Sequence, residues 1–235
     1  MVLPLCVPSP VSPGARVGEV KFCGLTRAED ARAASELGAS FVGAIFAGGP
    51  RLVTPERAVE VFAGAGDGPL RVGVFGADAP ARTAEIAAAA GLDVIQLHGD
   101  PRAADILDMR ARFDGEIWAV ARASGSLLPD WAEELFREAD AVLLDAHVAG
   151  QLGGTGVTLD WGALAGSVND LRGDTPVVLA GGLNAANVAE AIRQMAPDVV
   201  DVSSGVEAAP GIKNHASMRA FMDAVRLASE EGWQG

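Results

Sequence analysis

Positive charge is scarce in this sequence of 235 residues: 18 lysines and arginines stand against 31 aspartates and glutamates, and the formal net charge is -13. No run of basic residues interrupts this excess of acid. Nucleic acids and anionic membranes attract proteins through clustered lysine and arginine side chains. The composition therefore argues against both as partners, whereas a small anionic substrate could still be held by backbone N–H groups and one or two local cations.

Long apolar runs are also missing. No stretch offers the roughly 18 uninterrupted apolar residues that a membrane span requires. The first residues contain several prolines and no basic start, which makes them a poor signal peptide. We interpret residues 1–18 as a flexible N-terminal extension and residues 19–230 as one folded domain, and we predict a cytoplasmic protein.

Cysteine and histidine are equally sparse. The two cysteines, Cys6 and Cys23, form no CxxC pair, and the three histidines are scattered along the chain. Structural zinc sites need closely spaced cysteine and histidine ligands, so we expect no metal site. A disulfide between the two cysteines is not expected either, because the cytoplasm is reducing.

Short apolar segments that favour β-structure recur along the chain, and stretches with helical spacing separate them. The predicted strands cover residues 20–24, 41–46, 70–76, 93–99, 116–122, 141–146, 176–182 and 199–205. They are apolar on both faces, as parallel strands covered by helices should be. Eight strand–helix units in about 220 residues predict a single (β/α)8 TIM barrel with parallel strands. A doubly wound open sheet is the alternative, but the first strand–helix turn, FCGLTRAED, has no GxGxxG fingerprint.

Polar and reactive residues stand at the ends of these strands, where a barrel of this type places its active site. The ends carry Cys23, His98, Arg122, Asp145 and Ser203–Ser204. Alternation of side chains puts Lys21 and Cys23 on one face of their strand, and Leu143 and Asp145 on one face of theirs. A carboxylate such as Asp145 is costly to bury against helices, so we expect it at the mouth of the barrel.

The ends of the last two strands are rich in glycine and serine. LAGGLN provides Gly181 and Gly182, followed by Asn184 as a candidate helix cap, and DVSSGVE provides Ser203, Ser204 and Gly205. The GGTG segment at 153–156, which includes Gly154, is expected in the loop after the sixth strand. Glycine lets the backbone approach a ligand closely, and barrel enzymes frequently bind a phosphate at the loops after strands 7 and 8. These segments together predict a substrate that ends in a phosphate.

Seven motifs follow one another along the chain: KFCGLTRAEDA, PRLVTPERA, VGVFG, DVIQLHGD, VLLDA with GGTGVTLDW, LAGGLNAANV, and DVSSGVEAAPGIKN. In this order they resemble the phosphoribosylanthranilate isomerase family of tryptophan biosynthesis, over roughly residues 19–225. The resemblance implies a (β/α)8 barrel and an aldose–ketose isomerase. Its reaction is the Amadori rearrangement of N-(5-phosphoribosyl)anthranilate to 1-(2-carboxyphenylamino)-1-deoxyribulose 5-phosphate. The resemblance also implies a small phosphoribosyl substrate, no cofactor, and a monomer or a homodimer.

The resemblance also assigns roles to individual residues. Asp145 would be the general acid that protonates the furanose ring oxygen, and Cys23 the general base that takes the C2′ proton, a task for which a thiol needs only a modest pKa shift. Arg51 is expected to meet the anthranilate carboxylate. The phosphate loops of the family map onto Gly182, Ser203 and Ser204, and Asp201 takes a supporting role. Their neighbours Gly181 and Gly205 are counted with the phosphate contacts from the glycine-rich strand ends, and His98 and Gly154 are supporting positions from their places at the end of the fourth strand and after the sixth.

Two other functions stay open at this point. One is another phosphosugar isomerase or epimerase on the same barrel. The related histidine-pathway isomerase uses aspartates at both catalytic strand ends, so Cys23 argues against it, and the histidines are poorly placed for a metal-dependent epimerase. The other is a non-catalytic phosphate-binding barrel, which would not need both Cys23 and Asp145. Arg51 could equally be a solvated surface charge.

The tryptophans have a structural interpretation. Trp118, Trp131 and Trp161 are expected to pack between the helices and the barrel.

Overall fold

The computed structural model describes residues 18–146 and 160–231. Most of the predicted extension, with Cys6, and the predicted supporting residue Gly154 lie outside the described residues. Eight parallel strands close into a barrel in chain order, and the first strand pairs with both the second and the eighth. The predicted (β/α)8 TIM barrel is therefore confirmed, and the open doubly wound sheet is excluded.

The barrel strands coincide with the predicted apolar segments. They are β1 (Glu19–Phe22), β2 (Phe41–Ile45), β3 (Leu70–Phe75), β4 (Val94–Leu97), β5 (Glu116–Ala123), β6 (Ala141–Ala146), β7 (Val177–Leu179) and β8 (Val199–Val202). After β8 the chain makes one 3-10 turn, Ser204–Val206, and a short antiparallel hairpin of β9 (Glu207–Ala209) and β10 (Ile212–Lys213). This hairpin has no counterpart among the predicted elements.

Helices follow the strands on the outside of the barrel. They are α1 (Ala28–Glu36), α2 (Pro55–Ala65), α3 (Pro80–Ala90), α4 (Ala103–Arg110), α5 (Ala132–Glu138), α6 (Trp161–Arg172), α7 (Val188–Met195) and α8 (His215–Glu231). None of the described helices is both long enough and apolar enough to cross a membrane.

Local sequence signals set several helix ends. At the start of α2 the Thr54 hydroxyl accepts a hydrogen bond from the N–H of Arg57, and Pro55 fills the first position, where a missing N–H costs nothing. The prediction that Asn184 caps a helix is wrong, because α7 begins only at Val188. The Asn184 side chain instead accepts from the N–H of Ala186 and so stabilises the turn that follows β7.

The barrel encloses a core of its own. Ten buried residues fill its interior: Phe41, Val72, Val94, Trp118, Val120, Ala141, Leu143, Val178, Ala180 and Val199. The prediction that Trp118 packs against the helices is therefore wrong. Trp118 points inward on β5, its ring meets that of Phe41 edge to face at 4.9 Å, and its Nε1 donates to Glu116. An apolar ring with a polar edge can face either the barrel interior or the helices, and the register of the strand decides which side it faces. Trp131 and Trp161 do pack in the outer layer, as expected.

The strand ends carry the reactive residues to one rim of the barrel. Cys23, His98 and Ser203 are the first residues beyond β1, β4 and β8, and Asp145 is the last but one in β6. Because all eight strands are parallel, these positions meet at the carboxyl-terminal rim, where barrel enzymes carry their active sites.

Candidate active site

A cavity opens at the carboxyl-terminal rim of the barrel. Every predicted site residue that the structure describes lines it: Cys23, Arg51, His98, Asp145, Gly181, Gly182, Asp201, Ser203, Ser204 and Gly205. The fold thus brings together side chains that are up to 182 positions apart, from Cys23 to Gly205.

Cys23 is a free thiol at the floor of this cavity. Its side chain is 5% exposed, and its backbone N–H donates to the carbonyl of Val202 on the neighbouring β8 at 2.9 Å. Burial raises the pKa of the Cys23 thiol, and the negative charge of Asp201 acts in the same direction, while the ammonium groups of Lys21 and Lys213 oppose them. The thiol therefore depends on nearby positive charge to ionise.

Lys21 lies beside Cys23 on the inward face of β1 and is fully buried. Its Nζ donates to Oδ1 of Asp201 at 3.1 Å, and its positive charge also interacts electrostatically with Cys23. Burial by itself lowers the pKa of Lys21, but Asp201 and Cys23 outweigh burial and raise this pKa above its ordinary value. The charged side chain in an otherwise apolar strand, on the same face as Cys23, is the sequence signal that could have identified Lys21 as part of the site.

Gly43 on β2 makes room for this pair. A β-carbon at Gly43 would lie 3.3 Å from Sγ of Cys23 and 3.3 Å from Cε of Lys21. Such contacts are tight, so the absence of a side chain on the neighbouring strand lets the thiol and the lysine stem lie side by side.

Asp145 faces the same cavity from β6 and is 6% exposed. Its Oδ2 lies 3.7 Å from Nε2 of His98. Burial, helped by the positive charges of Arg122 and Lys21, lowers the pKa of His98 to about 4. His98 is therefore neutral near pH 7 and adds no positive charge beside Asp145. Arg122 donates to the backbone carbonyl of His98 at 2.7 Å and so holds the end of β4 in place.

Arg51 is anchored and is not a solvated surface charge. Its Nε and Nη2 donate to the two carboxylate oxygens of Glu207, at 2.8 and 2.7 Å. Glu207 also accepts from Nζ of Lys213 at 2.9 Å and from the N–H of Gly211 at 3.2 Å. Burial disfavours the charge of Glu207, but Arg51 and Lys213 hold its pKa below the usual value. Glu207 and Lys213 are two of the three charged residues of the DVSSGVEAAPGIKN motif, and only the third, Asp201, had a role predicted from the sequence.

The loops after β7 and β8 approach each other closely. Gly181 and Gly182 adopt φ values of +86° and +66°, which favour glycine. A side chain at Gly205 would collide with the backbone carbonyl oxygen of Leu183, so the two loops are in contact only because this residue is a glycine. Nζ of Lys213 donates to the carbonyl of Ser203 at 3.0 Å and so fixes the second loop.

Ser203 points a hydroxyl towards the turn after β1. A β-carbon at Gly24 would lie 2.9 Å from its Oγ and 2.6 Å from Cδ of Arg51. Within residues 18–146 and 160–231 this buried hydroxyl has no hydrogen-bond partner. Buried polar groups are nearly always satisfied, so Ser203 is a candidate for contact with a bound polar ligand.

Together these features define a (β/α)8-barrel enzyme whose site combines a buried thiol, a buried carboxylate and glycine- and serine-rich loops after the last two strands. Comparison with known proteins narrows this class. The family model of N-(5'phosphoribosyl)anthranilate (PRA) isomerase matches residues 20–224. The chain belongs to this family.

Similar proteins agree with the match. The N-(5'-phosphoribosyl)anthranilate isomerase of Pseudomonas fluorescens (strain Pf0-1) is 41% identical over 207 residues, which cover 88% of this chain and 97% of the relative. The enzyme of that name from Moorella thermoacetica is 40% identical over 211 residues, with 90% and 91% coverage.

Solved structures are similar as well. The phosphoribosyl anthranilate isomerase of Thermotoga maritima has a TM-score of 0.78 and 32% identity, and it covers 89% of this chain and 98% of its own. A phosphoribosyl anthranilate isomerase solved with reduced 1-(o-carboxyphenylamino)-1-deoxyribulose 5-phosphate has a TM-score of 0.75 and 31% identity, with 89% and 98% coverage.

Proposed function

We propose that this chain carries out the reaction of its family, the Amadori rearrangement of N-(5-phosphoribosyl)anthranilate to 1-(2-carboxyphenylamino)-1-deoxyribulose 5-phosphate, with Cys23 as general base and Asp145 as general acid. One observation carries the assignment: a buried free thiol and a buried carboxylate line the same cavity from the ends of β1 and β6. Two groups that can exchange protons with a substrate from different strands are what an acid–base isomerisation needs.

Asp145 begins the reaction. It donates a proton to the furanose ring oxygen, the bond between C1′ and that oxygen breaks with its electrons going to oxygen, and the anthranilate nitrogen forms a C=N iminium with C1′. An imidazolium 3.7 Å away would favour the carboxylate over its acid form. His98 is neutral near pH 7, which is compatible with a proton on Asp145 in the reacting state.

Cys23 completes the isomerisation. Its thiolate takes the proton from C2′, the electrons of that C–H bond form the C1′=C2′ double bond, and the iminium nitrogen becomes neutral. The resulting enolamine tautomerises to the ketose when its C2′ hydroxyl loses a proton and C1′ gains one. The iminium itself acidifies the C2′ proton, so the mechanism needs no cofactor.

The two charged ends of the substrate are assigned to different residues of the cavity. We place the phosphate between the loops after β7 and β8, at Gly181, Gly182, Ser203, Ser204 and Gly205. The left-handed glycines and the unpartnered Ser203 hydroxyl of the described chain support this choice. We place the anthranilate carboxylate near Arg51, whose two bonds to Glu207 do not involve Nη1.

Asp201, His98 and Gly154 are assigned supporting roles. Asp201 holds Lys21, and His98 lies beside Asp145. The role of Gly154 stays a prediction from the motif alone.

The organisation of the protein follows from the same assignment. We propose that residues 19–230 form the catalytic domain, that residues 1–18 extend from it, and that the enzyme works in the cytoplasm as a monomer or a homodimer. A reducing cytoplasm would keep the Cys23 thiol available. One Thermotoga maritima relative is described as a dimeric enzyme from which monomers were generated.

A steady-state assay tests the function. The substrate is made in place from anthranilate and phosphoribosyl pyrophosphate with the enzyme of the preceding step, and its consumption is followed by the loss of fluorescence. Wild type, Cys23→Ser and Cys6→Ser are compared, the last being a matched control outside the barrel strands. We expect Cys23→Ser to lose a factor of about 10²–10⁴ or more in kcat and Cys6→Ser to keep its activity. A folded wild type without turnover would contradict the function, whereas an active Cys23→Ser would contradict only the role of the thiol.

A further inference from the structure

The chain contains two lysines, Lys21 and Lys213, against 16 arginines, and both lysines are buried beside the candidate active site. Lysine differs from arginine in carrying a compact point charge on an unbranched stem. Burying such a charge is unfavourable unless it is paired and hydrogen-bonded. The fully buried Lys21 therefore calls for a reason beyond filling the barrel, which an apolar side chain of the same length would do at less cost.

Lys21 is held between two groups. The register of β1 against β8 pairs Lys21 with Asp201, whose carboxylate accepts from Nζ at 3.1 Å. On its own strand Lys21 lies two residues before Cys23, and both side chains pass close to Gly43 of the neighbouring strand. Asp201 and Cys23 line the cavity, whereas Lys21 is not among its lining residues. Any effect of Lys21 on the reaction must therefore pass through a neighbour.

We propose that Lys21, held in place by Asp201, positions and stabilises the Cys23 thiolate, so that Lys21 is a positioning residue for the base. The inference rests on the role proposed above for Cys23. The ammonium group supplies the positive charge that a buried thiolate needs, and Asp201 keeps that ammonium group protonated and oriented.

The other charged groups near Cys23 are engaged elsewhere. Lys213, from β10, binds Glu207 and the carbonyl of Ser203, and Arg51 binds both oxygens of Glu207. Both keep their hydrogen bonds for other partners, and Asp201 opposes ionisation of the thiol. Among the cations that favour the charged form of the thiol, Lys21 has the largest effect, and it shares the strand face of Cys23.

Alkylation of the thiol tests this inference without any turnover. In a Cys6→Ser background Cys23 is the only thiol, and its rate of reaction with iodoacetamide across pH reports the thiolate fraction. We expect Lys21→Met to slow alkylation at pH 7 by about tenfold or more, since one pKa unit changes the thiolate fraction about tenfold below the pKa. The same variant should lower kcat with little change in KM. Lys21→Arg should restore part of the alkylation rate and part of kcat. The comparison variant Lys213→Met should shift the pH profile of alkylation less than Lys21→Met does.

NMR of the lysine side chains provides a second test, which leaves Lys21 and Cys23 unmutated. In protein labelled only at lysine, NMR gives two side-chain signals, and the Lys21 signal should shift as Cys23 titrates and stay constant in Cys23→Ser. This arm does not depend on whether Lys21→Met folds. A Lys21→Met variant that is folded and alkylated at the wild-type rate, or a Lys21 signal that ignores the thiol, would overturn the inference while leaving the isomerase assignment intact.

Discussion

Arg51 and Glu207 face each other through two parallel hydrogen bonds, of 2.8 and 2.7 Å, across 156 positions of sequence. The pair joins the loop after β2 to the hairpin of β9 and β10, and Lys213 joins it from the same hairpin. Paired planar groups of this kind fix geometry as well as supplying energy. The carboxylate end of the proposed substrate site is therefore preorganised by a residue that need not touch the substrate.

Glu207→Gln tests this preorganisation. A glutamine side chain has one oxygen and no charge, so it cannot hold both guanidinium nitrogens. We expect KM to rise by about tenfold, equivalent to ~1.4 kcal/mol, with a smaller change in kcat. Glu190→Gln is a matched control, because Glu190 forms an exposed pair with Arg193 on α7. Equal KM values for the two variants would show that Arg51 does not depend on Glu207.

The loops after β7 and β8 should be sensitive to a single methyl group. Gly205→Ala would push against the carbonyl of Leu183 and separate the two loops. We expect a rise in KM and weaker competition by inorganic phosphate, with kcat at saturating substrate less affected. Gly166→Ala, in the exposed part of α6 with open space around it, serves as control and should leave KM unchanged. A Gly205→Ala enzyme with the phosphate inhibition of wild type would show that the phosphate binds elsewhere.

His98 should titrate far below the usual range. Its pKa is lowered to about 4, whereas an unfolded chain takes up this proton near 6.5. Between these values the unfolded state binds more protons than the folded state, so the free energy of unfolding should fall as pH drops from about 6.5 towards 4, by up to ~3 kcal/mol. Two-dimensional NMR of the imidazole would show the inflection directly, and His98→Gln should flatten this part of the stability profile. An inflection of the His98 signal near pH 6.5 would contradict the prediction.

Asp30 on α1 links this helix to the hairpin of β9 and β10 and to α8. It is fully buried and accepts from two nitrogens of Arg27 at 2.9 and 2.7 Å and from the N–H of Lys213 at 3.1 Å, and it contacts His215 at 2.8 Å. Burial opposes the charge of Asp30, but these hydrogen bonds outweigh it and lower its pKa. Its contribution to stability is therefore complete above the unfolded carboxyl pKa and is lost as pH falls through the lowered value.

Asp30→Ala should accordingly destabilise the protein by about 1–3 kcal/mol near pH 7, because it leaves the buried N–H of Lys213 unsatisfied and removes the carboxylate that the partly exposed Arg27 and His215 contact. Denaturant unfolding measures the difference, which should shrink in acid. Asp108→Ala, which removes an exposed partner of Arg112 on α4, is the control and should cost less than about 1 kcal/mol. An Asp30→Ala cost as small as that of the control would show that Asp30 is not a structural anchor.

Glu19, at the other end of the barrel, should have the opposite effect on the pH dependence of stability. Its ionisation destabilises the fold near neutral pH, whereas the effects of His98 and Asp30 weaken the fold in acid. Burial, together with the negative charges of Asp198 and Glu116, raises the pKa of Glu19 at the start of β1. The folded state then binds this proton more tightly than the unfolded state, so the charge of Glu19 destabilises the fold above the raised pKa and the penalty disappears in acid. Glu19→Gln should therefore stabilise the protein near neutral pH and have little effect in acid. Glu133→Gln, on the exposed side of α5, is the control. It should leave the free energy of unfolding unchanged both near neutral pH and in acid.

The sequence predicted the fold and the cavity well for identifiable physical reasons. Apolar strands flanked by helices permit few arrangements. Because parallel strands all end at the same rim, Cys23, His98 and Asp145 meet there whatever the detailed packing. The direction of Trp118 could not be decided, since a bulky ring suits the interior as well as the outer layer. Pairings such as Lys21 with Asp201, 180 positions apart, depend on which strands close the ring and in which register. No local pattern encodes that register, so the positioning network around Cys23 and the hairpin of Glu207 and Lys213 emerged only from the structure.

The pairing of β1 with β8 has a consequence for synthesis on the ribosome. Cys23 is translated before Asp201, the loops after β7 and β8 and the hairpin that anchors Arg51. A nascent chain that stops before β8 would carry the thiol at the end of an edge strand that pairs only with β2, beside a lysine without its counterion. The site can therefore assemble only after β8 and this hairpin have left the exit tunnel, and a product truncated before β8 would be inactive and exposed along both open edges of an unclosed sheet.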